Sequence, residues 1–175
     1  MSLPALSNFQ LDIVEEYFHG RKTWGGAITK DKVPKTIASG KFYIVNLDNS
    51  TGPGTHWTLL FNCKPNECIY FDSYGMPPPE SVVTAMLNTR KKTQTYNNVD
   101  LQELGTQTCG WWCIYVAEEL LAGKSLLQTV SFADKANGKN PPDEFLTELF
   151  ESSPNDRFKH KGYEAIERML MKNDR

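Results

Sequence analysis

Cys109 and Gly110 open a run of almost entirely apolar residues, which predicts a buried helix that begins at Cys109 and is capped at Gly123. The first-turn N–H groups of a helix lack partners, so they favour a thiolate and can hold an oxyanion. The missing side chain of Gly110 would let a substrate backbone come close. Cys109 is therefore a candidate nucleophile. The alternative is an inert core thiol, because unpaired cysteines are often buried.

Three histidines, His19, His56 and His160, could serve such a nucleophile as a base. We expect His19, at a helix end, and His160, between two lysines, to be solvated. His56 begins a predicted strand and follows the Gly-rich loop 48–55, which we expect to border the cleft. His56 is therefore the candidate general base.

Asp72 lies where a carboxylate could orient that histidine. If residues 56–61 and 67–72 form an antiparallel hairpin with a loop at 62–66, His56 lies directly opposite Asp72. Opposed Cβ atoms in such a pair are about 4.5–5.5 Å apart. The two side chains would then form the pair of base and orienting group that a nucleophile requires. Alternatively, Asp72 only begins the turn Asp-Ser-Tyr-Gly.

Two glutamines could add a side-chain donor for an oxyanion. Gln102 ends a weak predicted strand over 96–101, and Gln107 lies in the loop two residues before Cys109. Stabilisation of an oxyanion depends on a donor that is held in place beforehand. We therefore expect Gln102, which is supported by a strand, to be the donor rather than Gln107.

The elements that would position these residues predict an α+β fold with a small antiparallel or mixed sheet, a buried central helix that starts at Cys109, and flanking helices. Ser7 and Gln10 have the spacing of a capping box, and Gly20 is the predicted end of the helix that follows. Residues 24–34 are predicted to form an irregular loop, and 136–142 to form a break. Helices are predicted over 8–18, 80–90 (with Val82, Val83, Met86 and Leu87 on one face), 145–150 and 163–171, and strands over 42–47, 56–61 and 68–72.

Composition limits the function classes. The chain has 175 residues, 39% hydrophobic and 23% charged, which predicts a single globular domain over 1–175 with a helical part, about 125–175, of unassigned role. No stretch approaches the roughly 20 apolar residues of a membrane span. A net charge of −2 argues against nucleic-acid binding by bulk charge, and 4 cysteines are too few for a disulfide scaffold. Met1–Pro4 lack the features of a secretory signal, so we expect a protein that is not secreted.

The order His56-Trp57, Asp72, Gln102, Cys109-Gly110 resembles the adenain-like and ubiquitin-like-protein-specific clan of cysteine proteases. The short stretches around residues 46–48, 54–57, 71–75 and 108–110 look most like the proteases of virophages and Polinton-type elements. A stretch around Gly26 and 31–34 is also similar. The resemblance covers roughly residues 7–121.

The resemblance implies a role for each residue: Cys109 as nucleophile, His56 as general base and acid, Asp72 as the orienting carboxylate, and Gln102, with Gly110 and Trp57, in oxyanion and substrate binding. It implies hydrolysis of peptide bonds near Gly in capsid or other virion precursors, in the virion or in viral factories of the host cytoplasm. Adenovirus proteases use DNA and a disulfide-linked peptide as cofactors. Because this chain is slightly acidic and no thiol stands out for a peptide, we expect no cofactor and no metal.

Three alternatives compete with this interpretation. Cys63, Cys68, Cys109 and Cys113 could form a four-thiolate zinc site in an interaction module. A chymotrypsin-like cysteine protease also has the order His, Asp, Cys, but its nucleophile lies on a loop between strands, whereas a long apolar helix follows Cys109. A deubiquitinating or deSUMOylating enzyme of the same clan is the third alternative, and the sequence separates it poorly from a virion protease.

Overall fold

A computed structural model of the chain describes residues 3–131, 142–152 and 156–173. Its centre is a five-stranded mixed sheet in the order β1-β2-β3-β4-β5. The strands β2, β3 and β4 pair antiparallel, and β1 and β5 join the two edges in parallel. The predicted α+β class is confirmed. The strands are β1 Trp24–Thr29, β2 Phe42–Asn46, β3 Trp57–Phe61, β4 Glu67–Phe71 and β5 Thr93–Tyr96.

Helices cover both faces of the sheet, because successive strand residues point to opposite sides. Helices α1 and α3 pack on one face, where Ile44, Leu59 and Phe71 are fully buried. Helix α2 covers the other face, against Val45 and Leu60. The helices are α1 Asn8–Thr23, α2 Glu80–Asn88, α3 Cys109–Leu121, α4 Leu126–Val130, α5 Pro142–Thr147, α6 Asp156–Lys159 and α7 Tyr163–Asn173, with a 3₁₀ turn at Lys30–Lys32 and a π-helical turn at Glu148–Ser152.

The C-terminal helices belong to the main core and do not form a separate layer. Leu146, Phe150, Phe158 and Ile166 are all buried in the cluster that contains the apolar side chains of α1 and α3. The predicted break over 136–142 lies outside the described residues except for Pro142. No helix in the described part of the chain is long and apolar enough to span a membrane.

The N-terminal helix begins as predicted but extends further. Ser7 accepts from the N–H of Gln10, and the Gln10 side chain accepts from the N–H of Ser7, so the capping box is formed. Gly20 adopts a φ of 72°, and the helix resumes after this kink until Thr23. Glycine accepts a positive φ at little cost, which explains why Gly20 kinks the helix rather than ending it.

The prediction of an irregular loop over 24–34 is wrong, because residues 24–29 form β1 beside β2. A Cβ at Gly25 would lie 2.3 Å from the Tyr43 ring, so glycine permits close approach of the two strands. Gly26 has a φ of 130° at a break in the register. Glycines in a strand often mark a bulge or a close approach, and here they resembled a loop.

Two further elements differ from expectation. The strand predicted over 96–101 lies earlier, at Thr93–Tyr96. In α2, Val82 and Met86 are buried as predicted, but Val83 and Leu87 are exposed, and Ala85 completes the buried face. The buried face is therefore narrower than the apolar pattern indicated.

Candidate active site

A cleft of about 430 Å³ brings together residues that are distant in sequence. Cys109 enters it from the first turn of α3, and His56 from the residue before β3. Loop residues 53–55 form one wall, as expected for the loop before His56. Tyr74 and Gln102 also line the cleft. The cleft is therefore formed by loops and element ends that a sheet and a buried helix hold in place.

His56 and Asp72 form a hydrogen bond of 2.7 Å between Nε2 and Oδ1. The predicted register is wrong by two residues, because Leu59 pairs with Phe71 and His56 therefore lies diagonally from Asp72. The turn between the paired residues is longer than assumed, since Glu67 and Cys68 pair only with β5. Diagonal neighbours on one face stay within reach of long side chains, so the contact forms despite the shift.

The Asp72 carboxylate is held from several sides. Its Oδ1 also accepts the N–H of Tyr74 at 2.8 Å. The side chain of Asn97 binds the backbone N–H and C=O of Asp72 at 3.0 and 2.9 Å. Asp72 is almost fully buried, so these bonds fix the carboxylate in one position. The ring of Tyr74 stacks on the His56 ring with centroids 4.9 Å apart, and this contact limits the movement of the imidazole.

The electrostatic surroundings of His56 favour the imidazolium. Burial lowers the pKa of His56, but the hydrogen bonds to Asp72 and Cys109 and the attraction of both groups outweigh burial and raise it to about 9. Nε2 faces Asp72, which leaves Nδ1 for Cys109. The backbone N–H of Trp57 also approaches Cys109 Sγ at 3.5 Å. A thiolate at Cys109 would thus have two donors beside it.

Protonation of His56 should couple folding to pH. Because the pKa of His56 is about 9 in the fold and 6.5 without perturbation, the imidazolium stabilises the folded state. This contribution is complete below about pH 6.5 and is lost as the pH rises through about 9. Urea unfolding at about pH 6.5 and at about pH 9 should therefore show a lower free energy of unfolding at the higher pH. In His56→Gln this difference between the two pH values should disappear. An equal fall in that variant would contradict the assignment.

The first turn of α3 carries Cys109 and Gly110, and Gly110 serves a different purpose from the one expected. A Cβ at Gly110 would lie 3.2 Å from Leu6 and 3.5 Å from the Trp57 ring. The side of Gly110 that lacks a side chain is thus covered by Leu6 and Trp57, and it does not face the cleft. Trp57 lines the cleft and donates its indole N–H to the carbonyl of Leu6 at 2.8 Å.

Gln102 lies on no strand, yet it is firmly held. Its N–H bonds Ser73 O at 3.0 Å, the Ser73 hydroxyl donates to its Oε1 at 2.7 Å, and its Nε2 donates to Thr106 O at 2.9 Å. The second hydrogen on Nε2 remains for a ligand in the cleft. Gln107 also lines the cleft but is exposed. Hydrogen bonds to Ser73 and Thr106 therefore give Gln102 the rigidity that a strand was expected to give.

Gln102→Ala should lower kcat by about 10²–10³-fold with little change in KM, because loss of one preorganised oxyanion donor has that size. Gln107→Ala is the matched control and should change kcat much less. Steady-state kinetics of both variants on one peptide measures the difference. A large loss confined to Gln107→Ala would reverse the assignment.

Sequence reasoning missed the wall formed by residues 5–8, which precede and begin α1. Two indole N–H groups anchor this segment: Trp111 donates to Pro4 O at 2.7 Å, and Trp57 donates to Leu6 O. Leu3 and Leu6 are buried beneath it. The proline and small residues of the segment predict no regular element, so its position depends on tertiary contacts alone.

The other thiols lie in different surroundings. Burial raises the pKa of Cys63 and Cys68 to about 11 and raises that of Cys113 well above its ordinary value, so all three remain protonated at neutral pH. Within the described residues, which include all four cysteines, the group that could hold a metal is Glu15, His19 and Glu118. The fold therefore does not support the four-thiolate zinc site.

The prediction that His19 is solvated is wrong, and Lys161, which follows the exposed His160, is buried. His19 bonds Glu118 at 2.6 Å, and the buried Lys161 ammonium lies 3.0 Å from Glu15 and also contacts Glu118. Lys161 therefore supplies the cation among the three potential metal ligands. This buried cluster joins α1, α3 and the turn before α7.

No protein-family model matches the chain. A cysteine protease of African swine fever virus is 29% identical over 100 residues, which cover 50% of this chain and 36% of that relative. The aligned part is thus about a third of the relative's length. A crystal structure of the African swine fever virus pS273R protease matches with a TM-score of 0.58 at 15% identity, over 87% of this chain and 72% of that one.

A second structure of that protease, its selenomethionine form, matches with a TM-score of 0.53 at 19% identity, over 87% of this chain and 73% of that one. The structural matches extend beyond the aligned sequence and include part of the C-terminal helical region, because they cover 87% of the chain. The chain therefore has the fold of a viral cysteine protease, which is the fold that its resemblance to the adenain-like clan implies.

Proposed function

We propose that the chain is a cysteine endopeptidase with Cys109 as nucleophile. The observation that carries the proposal is the position of His56 between Asp72 and Cys109, in the lining of the cleft. A nucleophile, a base and a group that orients the base are the three parts of covalent catalysis by a thiol. The similarity to the African swine fever virus protease supports the same chemistry.

In the proposed reaction the Cys109 thiolate attacks the carbonyl carbon of the scissile peptide bond. The carbonyl oxygen becomes an oxyanion, which first-turn N–H groups of α3, including that of Gly110, and the Gln102 amide stabilise. The bond to nitrogen then breaks, the His56 imidazolium gives its proton to the leaving amine, and a thioester remains on Cys109. His56 next takes a proton from water, the hydroxide attacks the thioester, and the acid leaves as the thiolate is restored.

The proposed substrates are capsid or other virion precursor proteins, and the proposed place of action is the virion or a viral factory in the host cytoplasm. Resemblance of the short stretches around His56, Asp72 and Cys109 to virophage and Polinton-type proteases supports this finer assignment. The net charge of −2 gives no reason to propose DNA as a partner. The proposed enzyme works without a cofactor.

The decisive test is mass spectrometry of candidate capsid precursors after incubation with the protein. The wild type should yield new peptide termini at defined positions, and Cys109→Ala, the matched control, should yield none. Ubiquitin-like substrates with isopeptide bonds, incubated in parallel, separate the proposed endopeptidase from the deubiquitinating or deSUMOylating alternative. Cleavage of those substrates alone would favour the alternative, and identical products from Cys109→Ala would refute the thiol mechanism.

Peptides with Gly next to the scissile bond should be the best substrates. The resemblance to the adenain-like clan implies a cleft that is narrow around the scissile bond, so a side chain near the cut should be excluded. Replacement of that Gly by Ala, Val or Phe should lower kcat/KM increasingly with size. A panel that is cleaved at equal rates would contradict a narrow cleft.

A further inference from the structure

The helix that carries Cys109 begins without a side-chain cap. Thr108 is its N-cap residue, and a Thr hydroxyl in that place normally accepts the N–H of the second or third helical residue. Here the Thr108 side chain makes no such bond, and its backbone, with a φ of −89° and a ψ of 3°, is outside the extended conformation that a capping residue adopts. Within the part of the chain that the structure describes, the N–H groups of Cys109, Gly110 and Trp111 bond to no acceptor. These donors therefore remain free at the start of α3.

The hydroxyl of Thr108 points instead to Asp143, in the first turn of α5. Thr108 Oγ1 donates to Asp143 Oδ1 at 3.1 Å, and the Trp112 indole N–H donates to the same oxygen at 3.0 Å. Thr108 is 1% exposed and Asp143 is 9% exposed, so neither bond is open to exchange with solvent. Thr106, 3.3 Å from the Thr108 hydroxyl, gives its own proton to Glu103 O. Asp143 is therefore the acceptor that fixes the Thr108 hydroxyl.

We propose that Asp143 is a positioning residue of the protease: its bond to the Thr108 hydroxyl holds Thr108 in this non-capping conformation and so keeps the first-turn N–H groups free for the oxyanion. This inference rests on the proposed function. It also assigns a role to the C-terminal region, which reaches α3 beside the nucleophile. A hydroxyl cap would compete with the oxyanion for the same donors, whereas a carboxylate bound to that hydroxyl leaves them free.

Asp143→Asn is a matched control, because only one of the two carboxylate oxygens of Asp143 is bonded in the described part of the chain. Oδ2 has no hydrogen-bond partner within the described residues, so only Oδ1 acts as an acceptor. Asp143→Asn keeps an acceptor in that place and should retain kcat within about twofold. Asp143→Ala removes it, and Asp143→Leu removes it while filling a similar volume.

Loss of the acceptor should lower kcat by about 10–10²-fold, with KM nearly unchanged. The reason is that the oxyanion develops in the transition state and is absent from the bound substrate. In Asp143→Ala the freed Thr108 residue should adopt the extended conformation of a capping residue, in which its hydroxyl occupies the donors. The double variant Asp143→Ala/Thr108→Val has no hydroxyl to do so and should recover most of the lost kcat. If Asp143→Ala does not fold, as judged by circular dichroism, Asp143→Leu with and without Thr108→Val gives the same comparison.

Amide hydrogen exchange, measured by NMR, tests the inference without any substrate. In Asp143→Ala the N–H groups of Gly110 or Trp111 should exchange more slowly than in the wild type, and Asp143→Asn should match the wild type. Unchanged exchange, or a double variant as slow in kcat as Asp143→Ala, would overturn the role of the hydroxyl. A loss in Asp143→Asn equal to that in Asp143→Ala would show that the charge matters and also overturn it. A wild type that cleaves nothing refutes the proposed function, and the exchange result still decides whether Asp143 controls the helix start.

Discussion

His56→Ala should lower kcat/KM by at least about 10⁴-fold, because loss of a base that works as a unit with its nucleophile has effects of that order. His56 is the one group in the described cleft that can both hold the Cys109 thiolate as an ion pair and pass a proton to the leaving amine. Without it, Cys109 would also lose the imidazolium that favours the thiolate. Peptide cleavage and the rate of Cys109 alkylation should therefore fall together.

His160→Ala is the matched control for that loss. His160 is exposed and lies on the turn after α6, away from the cleft, so its removal should leave kcat/KM unchanged. His56→Ala should keep its circular dichroism spectrum, because the His56 side chain fills no part of the main hydrophobic cluster. Turnover of His56→Ala at a tenth of the wild-type rate or more would require another base.

Local signals were sufficient for the elements that carry the nucleophile. The apolar run after Cys109 predicted the start of α3 correctly, and the capping box at Ser7 fixed the start of α1. Both depend on residues within one or two turns of each other. In the sheet, β1 was missed because Gly25 is there to make room for the Tyr43 ring. Tyr43 is distant in sequence, so no local pattern shows this contact.

Tertiary contacts explain the remaining differences. The predicted register of β3 and β4 assumed a loop at 62–66, but Glu67 and Cys68 pair with β5 and not with β3, and nothing within the hairpin indicates this. The cluster of Glu15, His19, Glu118 and Lys161 unites residues that are up to 146 positions apart. Burial of Lys161 is favourable only because these partners surround it. The two residues before it, Lys159 and His160, are exposed and give no sign of that burial.

The contact between His56 and Asp72 tolerates the shifted register because other residues determine where the carboxylate points. Tyr74 donates its N–H to the same oxygen, and Asn97 fixes the backbone on both sides of the Asp72 side chain. The carboxylate is thus preorganised toward Nε2 of His56. This arrangement leaves the other ring nitrogen directed at Cys109, as general base catalysis requires.

Asp72→Asn and Asp72→Ala should therefore both lower kcat, by about 10²–10⁴-fold, the size expected when a catalytic imidazole loses its orienting carboxylate. Asn can still accept the N–H groups of His56 and Tyr74 but lacks the charge, whereas Ala removes the acceptor as well, so Ala should be the slower variant. The pKa of His56, read from the NMR titration of its ring, should fall from about 9 in both, because the bond to Asp72 raises it. Asp100→Asn, at an exposed aspartate after β5, is the matched control and should leave kcat and the titration unchanged. If both Asp72 variants kept the wild-type rate, the third role would belong to another residue.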